Sequence, residues 1–416
     1  MAKYQFPDGF LWGTATAAHQ VEGNNTNSDI WLMEQMSGSM FVEPSGNACE
    51  HFERYASDIA LLASLGFNSY RFSVEWARIE PEQGSFSDSA LEHYSSMVDC
   101  CIAQGLKPFI TLHHFTSPQW LIQRGGWEGS DTPALFARYA EKVISVLGSR
   151  INGVCTINEA NIGRVLTSSG MLPSLDIIRQ TPGWRAAANA LDVTADEFMP
   201  FMFAISESGR QTIMAAHRQA VNCIKSIQPA LSCGITLAVQ DIVAGPGGEE
   251  IAAKHRREVN EVYLNEITED DFVGVQCYSR HRYDSNGPMG PESGVEVTDM
   301  GYEFWPEALE QTIRQAYDVA GIPVLVTENG IATTDDRRRI DYVTRALTGV
   351  QACLNDGIPV LGYTYWSAMD NFEWMLGYRP KFGIIAIDRK TQGRFVKQSG
   401  KWLGDIARTN ATTFSV

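Results

Sequence analysis

A chain of 416 residues that is 44% hydrophobic and 20% charged has the makeup of a soluble globular protein with a large core, which excludes a disordered segment. Its 33 Lys plus Arg stand against 49 Asp plus Glu, a formal charge of −16; this repels phosphate backbones and anionic lipid and excludes nucleic acid and membrane surfaces as partners. The opening "MAKYQFPDGFLWG" has no apolar run fit for a signal peptide, and no later segment approaches the roughly eighteen apolar residues of a membrane span, so a cytoplasmic location is expected.

The first apolar run, "FLWGTATAAHQ" (10 to 20), predicts a strand, and helical spacing from Glu50 to Ser64, stopping near Gly66, predicts the helix behind it. "SYRFSV" (69 to 74) leads to a helix over 89–104, "KPFITLHH" (107 to 114) to one over Ala134 to Leu147 behind a Thr-Pro start, and "GVCTINE" (153 to 159) to one over 209–227. The second half gives strands "CGITLAVQ" (233 to 240), "FVGVQCYS" (272 to 279), "PVLVTEN" (323 to 329) and "LGYTYWSAMD" (361 to 370), with helices over 306–319 and 336–355. Apolar strands alternating with helical stretches predict a parallel sheet with crossovers, and eight such strands predict a closed (β/α)8 TIM barrel. No linker rich in Gly, Ser or Pro divides the chain, so residues 1–416 are expected to form one domain, with an elaborated loop region over 162–209. Eight cysteines without C-x-x-C spacing predict free, mostly buried thiols.

Chemistry in this architecture sits at the C-terminal ends of the strands. The predicted strands end in groups that a buried strand does not favour: His19 and Gln20, Arg71, His113 and His114, Asn158 and Glu159, Tyr278, Glu328 and Asn329, and Trp366. Glu159 and Glu328, 169 positions apart, are brought to one cleft by barrel closure, and paired carboxylates suggest glycoside hydrolysis, one protonated to serve the leaving oxygen and one ionised. Environment must separate their pKa values. Arg71 and Tyr278 suit an ionised Glu328, while Glu159 beside neutral Asn158 suits the acid. Residue types alone leave Glu22, Glu75, Asp370 and Glu373 as rivals; Glu22 is expected in a loop hydrogen bond, Glu75 in a pair with Arg78, and Glu373 gripping a hydroxyl. Adjacent His113 and His114 point to opposite sides of a strand, which argues against a metal pair.

The segments "FPDGFLWGTATAAHQVEG", "YASDIALLASLGFNSYRFSVEWARIEP", "TLHHFTSPQWL", "TINEAN", "TDMGYEFWPEAL", "VTENGIA", "GYTYWSAMDNFEW" and "KFGIIAIDRKT" span nearly the whole chain, and in them it resembles the retaining β-glycosidases of glycoside hydrolase family 1. The resemblance implies that Glu159 is the acid/base and Glu328 the nucleophile, supported by Arg71 and Tyr278. It implies that Gln20, His114, Asn158, Glu373 and Trp374 hold the sugar, with Trp366 as a platform under the ring. The implied activity is hydrolysis of a small-molecule β-glycoside without metal or organic cofactor, β-glucosides foremost, with β-galactosides and β-fucosides in view. A transglycosylase using the same intermediate and a catalytically silent sugar-binding barrel are the alternatives. Departures from the family pattern are Ala160 for a proline, Phe115 for a tryptophan and Gln276 for an asparagine. Segment 162–209 lacks the expected Ala-Pro-Gly stretch, and within it "PGWRAAANALDVTADEFMPFMF" (182 to 203) is expected to pack on the surface rather than form a lid or helical cap. A carboxylate at Glu373 favours unphosphorylated sugars.

Overall fold

The computed structural model describes residues 4–412. Among these, eight parallel strands close into a barrel in chain order, the last pairing with the first. They are β1 (Leu11–Thr16), β2 (Ser69–Ser73), β3 (Lys107–His113), β4 (Gly153–Ile157), β5 (Ser232–Ala238), β6 (Phe272–Gln276), β7 (Val324–Asn329) and β8 (Val360–Trp366). Every residue of β2, β4, β6 and β7 is buried. Strands covered on both faces read as continuous apolar runs, which is why they were visible in the sequence.

Eight helices wrap the sheet: α1 (His51–Leu65), α2 (Asp88–Ala103), α3 (Thr132–Leu147), α4 (Glu207–Ile227), α5 (Glu249–Arg256), α6 (Ala308–Ala320), α7 (Asp336–Asn355) and α8 (Gln398–Thr409). Local chemistry sets their ends. Ser87 and Ser206 accept the N–H groups of Ala90 and Gly209 at the starts of α2 and α4, satisfying donors that a helix leaves free. α1 stops at Gly66, whose φ of 109° and 2.7 Å approach of a notional Cβ to the Gly404 carbonyl admit only glycine. Tyr4–Gln5 pairs antiparallel with Ala411–Thr412, and the Trp12 indole donates to Asn410 at 2.8 Å, so the first and last described segments meet beneath the barrel.

The first strand is shorter than expected: β1 ends at Thr16, and His19 and Gln20 lie on a helical turn, Ala18–Val21. The chain leaves the sheet where the Ala18 N–H finds the Ser73 hydroxyl at 2.7 Å in place of a ladder partner. Likewise Asn158 and Glu159 follow β4, and Tyr278 follows β6. Segment 162–209 folds into three short α-helices, Ile162–Ser168, Leu175–Ile178 and Pro182–Ala190, followed by a single 3-10 turn, Phe201–Phe203, before α4. Val165 packs it on Ala238, Ile242 and Tyr283. All eight cysteines are free thiols, six of them buried. Among the described residues no helix is long and apolar enough to cross a membrane.

Candidate active site

A cavity of about 430 Å³ opens at the C-terminal ends of the strands, within the range of small-molecule pockets. Glu328, on β7, lines it and is gripped from both sides: Arg71 Nη1 donates to Oε1 at 2.6 Å and the Tyr278 hydroxyl to Oε2 at 2.6 Å. Burial raises its pKa, and the Arg71 charge with the Tyr278 hydrogen bond pulls against that rise. Glu159 lines the same cavity with no hydrogen bond to its carboxyl among the described residues. Burial first, then the negative charge of Glu328, hold its pKa well above the usual carboxylate value. One carboxylate is therefore braced for charge and the other for its proton, the division an acid and a nucleophile require.

The backbone fixes Glu159 with some strain. Its φ is 44°, a region unfavourable for a side-chain-bearing residue. The Glu159 N–H bonds the Thr236 hydroxyl at 3.0 Å and the Ala160 N–H bonds the Thr236 carbonyl at 3.1 Å; a proline at position 160 would lack the second donor. Phe115 and Trp374, also in the cavity wall, share positive φ values of 70° and 51°.

Asn158 sits behind the wall as a junction. Its Oδ1 accepts from Arg71 Nη2 at 2.5 Å, Gln276 Nε2 at 2.9 Å and the Thr236 hydroxyl at 3.2 Å. A guanidinium only donates, so the amide oxygen must face it and Nδ2 must face His114 Nε2, 3.1 Å away. His114 then carries its proton on Nδ1. Burial, with Arg71 and His113 adding to the effect, lowers its pKa far below the usual value and keeps the ring neutral. Gln276, one of the family departures, serves as a brace for Asn158.

The rest of the expected set gathers at the same end. Trp366, Trp374 and Glu373 line the cavity, and His114 stacks on both indoles at centroid distances of 5.7 and 6.1 Å. Gln20 stands behind Glu373, its Nε2 donating to the Phe372 carbonyl at 2.6 Å. The buried atoms Gln20 Oε1, His114 Nδ1 and Glu373 Oε1 find no partner in the protein. Buried polar atoms normally have partners, and alternating acceptors and donors beside an indole suit a polyhydroxylated ligand with apolar C–H faces. Burial and the Glu328 charge raise the pKa of Glu373 well above its usual value.

The rival carboxylates have other work. Arg78 pairs with Glu22 at 2.9 Å, not with Glu75 as expected: Glu22 comes from the turn after β1, and Glu75 caps the helical turn Trp76–Ile79 and accepts the Thr116 hydroxyl at 2.8 Å. Asp370 pairs with Lys397 at 2.8 Å. His113 turns away from His114, bonding Ser117 at 3.0 Å and packing on Trp127 and Phe201. Among the described residues no group of three or more His, Cys, Asp or Glu could hold a metal ion. Tyr302 also lines the wall and was not among the expected site residues; its sequence signal is its place in "TDMGYEFWPEAL" (298 to 309).

The profile described as glycosyl hydrolase family 1 matches residues 2–272 and 260–412. Beta-glucosidase A of Thermotoga maritima is 30% identical, over 98% of this chain and 98% of that protein. Thermostable beta-glucosidase B of Thermobispora bispora is 33% identical over 97% of this chain and 91% of its own length. Among solved structures, beta-glycosidase BGL167 superposes with a TM-score of 0.95 at 53% identity, covering 99% of both chains.

Proposed function

The chain belongs to glycosyl hydrolase family 1 and is a glycoside hydrolase, and on that premise we propose that it is a retaining, exo-acting β-glucosidase formed by one domain, residues 1–416. The observation that supports this most is the asymmetric pair, Glu328 held at both oxygens by Arg71 and Tyr278 and Glu159 unpartnered in its field. In this reading Glu328 attacks the anomeric carbon while Glu159 gives its proton to the departing oxygen, and the C1–O bond breaks. The carboxylates are expected about 5–5.5 Å apart, the spacing of direct attack. Esterification removes the Glu328 charge and with it one cause of the raised Glu159 pKa. Glu159 then favours its ionised form, takes a proton from water, and the hydroxide formed releases the sugar with retained configuration.

Asn158 Nδ2 keeps one hydrogen beyond that given to His114, and we assign it to the sugar 2-hydroxyl, where hydrogen bonds tighten in the transition state. Gln20, His114, Glu373 and Trp374 hold the remaining hydroxyls over Trp366. Eight free thiols suit a reducing, cytoplasmic setting. A 2-deoxy-2-fluoroglucosyl fluoride should add one fluorosugar to the peptide bearing Glu328, and Glu328→Ala should lose turnover while remaining folded; near-normal turnover in that variant rejects the role. External azide should rescue Glu159→Ala on an activated aryl glucoside and yield the β-glycosyl azide.

A further inference from the structure

We infer that the group this enzyme splits from the sugar is apolar, an alkyl or aryl alcohol rather than a second saccharide, an inference that rests on the β-glucosidase reading above. Outward from the carboxylates the cavity wall changes character. Ile162, Leu166, Met171 and Leu172 face it from the segment after β4, and Met300 and Met375 from the loops after β6 and β8. Met202 joins them, so four of the chain's thirteen methionines, Met171, Met202, Met300 and Met375, stand in this wall. Thioether side chains are flexible and polarizable and adapt to apolar ligands of different shape. Met171 stands at the mouth, 48% exposed.

The wall offers little to a second sugar. Among the described residues its only charged side chains are the three glutamates at the sugar end. The Ser279 hydroxyl gives its hydrogen to the Glu303 carbonyl at 2.7 Å, and the Gln240 amide gives one of its two to the Ala238 carbonyl at 2.9 Å. Burial lowers the pKa of His281 to about 4, leaving it uncharged, and Tyr302 lies within the fields of Glu373 and Glu159, toward the sugar end. A saccharide leaving group would bring many hydroxyls to a wall with few polar groups to meet them, which is costly, whereas an alkyl or aryl group would exchange water for apolar contact. The wall is also firmly held: Asn161 donates to the Ala238 and Val259 carbonyls at 3.0 and 2.8 Å just before the helical turn that presents Ile162 and Leu166.

The test is kcat/KM along methyl, butyl, hexyl and octyl β-glucosides, with cellobiose and β-glucosyl fluoride alongside. Alkanols share one leaving-group acidity, so a rise with chain length reports burial, expected at roughly two- to fourfold per methylene until the chain clears the mouth. Octyl β-glucoside should exceed cellobiose by about tenfold or more, although an alkanol is the poorer leaving group. A flat series, or cellobiose equal to octyl β-glucoside, overturns the inference. In that event, hydrolysis of β-glucosyl fluoride, whose leaving group is too small to reach this wall, leaves the β-glucosidase reading standing, and failure to hydrolyse it overturns both. The double variant Met171→Gln, Met375→Gln should lower the slope of the alkyl series; an unchanged slope also counts against the inference.

Discussion

Tyr278→Phe removes one hydroxyl and retains the ring that packs edge-on against Phe382 at a centroid distance of 5.8 Å. The lost bond is a 2.6 Å hydrogen bond to Glu328 Oε2, and hydrogen bonds to charged groups contribute about 1.5–3 kcal/mol. Arg71 still holds the other oxygen, so the carboxylate keeps its main counter-charge. At about 1.4 kcal/mol per decade, kcat/KM should fall roughly tenfold to hundredfold. The Tyr278 hydrogen bond lowers the Glu328 pKa, so removing it raises that pKa, and ionised Glu328 is lost sooner as pH falls. The acid limb of kcat/KM, which reports the free enzyme, should therefore move to higher pH. The limb belongs to the interacting Glu159–Glu328 pair rather than to one group, but its direction of movement is the same. Profiles on an activated aryl glucoside, with thermal melts to verify folding, make the measurement. An unmoved acid limb and a kcat/KM within about twofold of wild type would refute the argument that Tyr278 holds Glu328 ionised.

Trapping the glycosyl-enzyme should lower the Glu159 pKa, because the Glu328 charge that helps raise it is esterified; carboxyl-labelled NMR of free and trapped enzyme reads this, and an unchanged value rejects the coupling. Gly330→Ala should cost stability and activity together, since its Cβ would lie 2.1 Å from the Trp366 carbonyl oxygen and overpacking of this kind costs about 1–3 kcal/mol; urea unfolding and kcat/KM test it, and a neutral substitution disproves the contact. Arg394→Met should destabilise by about 3 kcal/mol in urea unfolding, because it strips a forked partner, at 2.7 and 2.9 Å, from buried Asp58. Burial pushes the Asp58 pKa up, but hydrogen bonds from His51 and Arg394 overcome it and leave the value lowered. The stability linked to that shift is present above the unfolded carboxylate pKa of about 3.9 and lost as pH falls through the lowered one. The gap between wild type and variant should close in that acid range.

The strands were legible because a parallel barrel buries both faces, leaving runs such as "VLVTEN" with no periodicity to misread. Six of the eight helices could be read from their apolar spacing, but α5 and α8 could not. The α5 segment "EEIAAKHR" buries only Ala252 and rests on a small satellite core, while α8, "QSGKWLGDIART", carries two glycines that weaken any helical signal. Glu75 and Arg78 are three positions apart, a spacing that invites pairing, yet closure of the barrel presents Glu22 from 56 positions away. The wall methionines lie far apart in the sequence, at 171, 202, 300 and 375, so no periodic pattern could group them. Grouping Arg71, Tyr278 and Glu328 before the fold was known depended on knowing that strand ends converge, which the alternation of strands and helices implied.

Arg71 reaches Glu328 with one arm of its guanidinium and Asn158 with the other. The carboxylate proposed to attack and the amide assigned to the neighbouring hydroxyl thus hang from a single hinge-pin. Any change that rotates that plane disturbs both at once, so attempts to retune sugar preference from this side of the barrel will be paid for in turnover, and useful variation has to come from the outer rim.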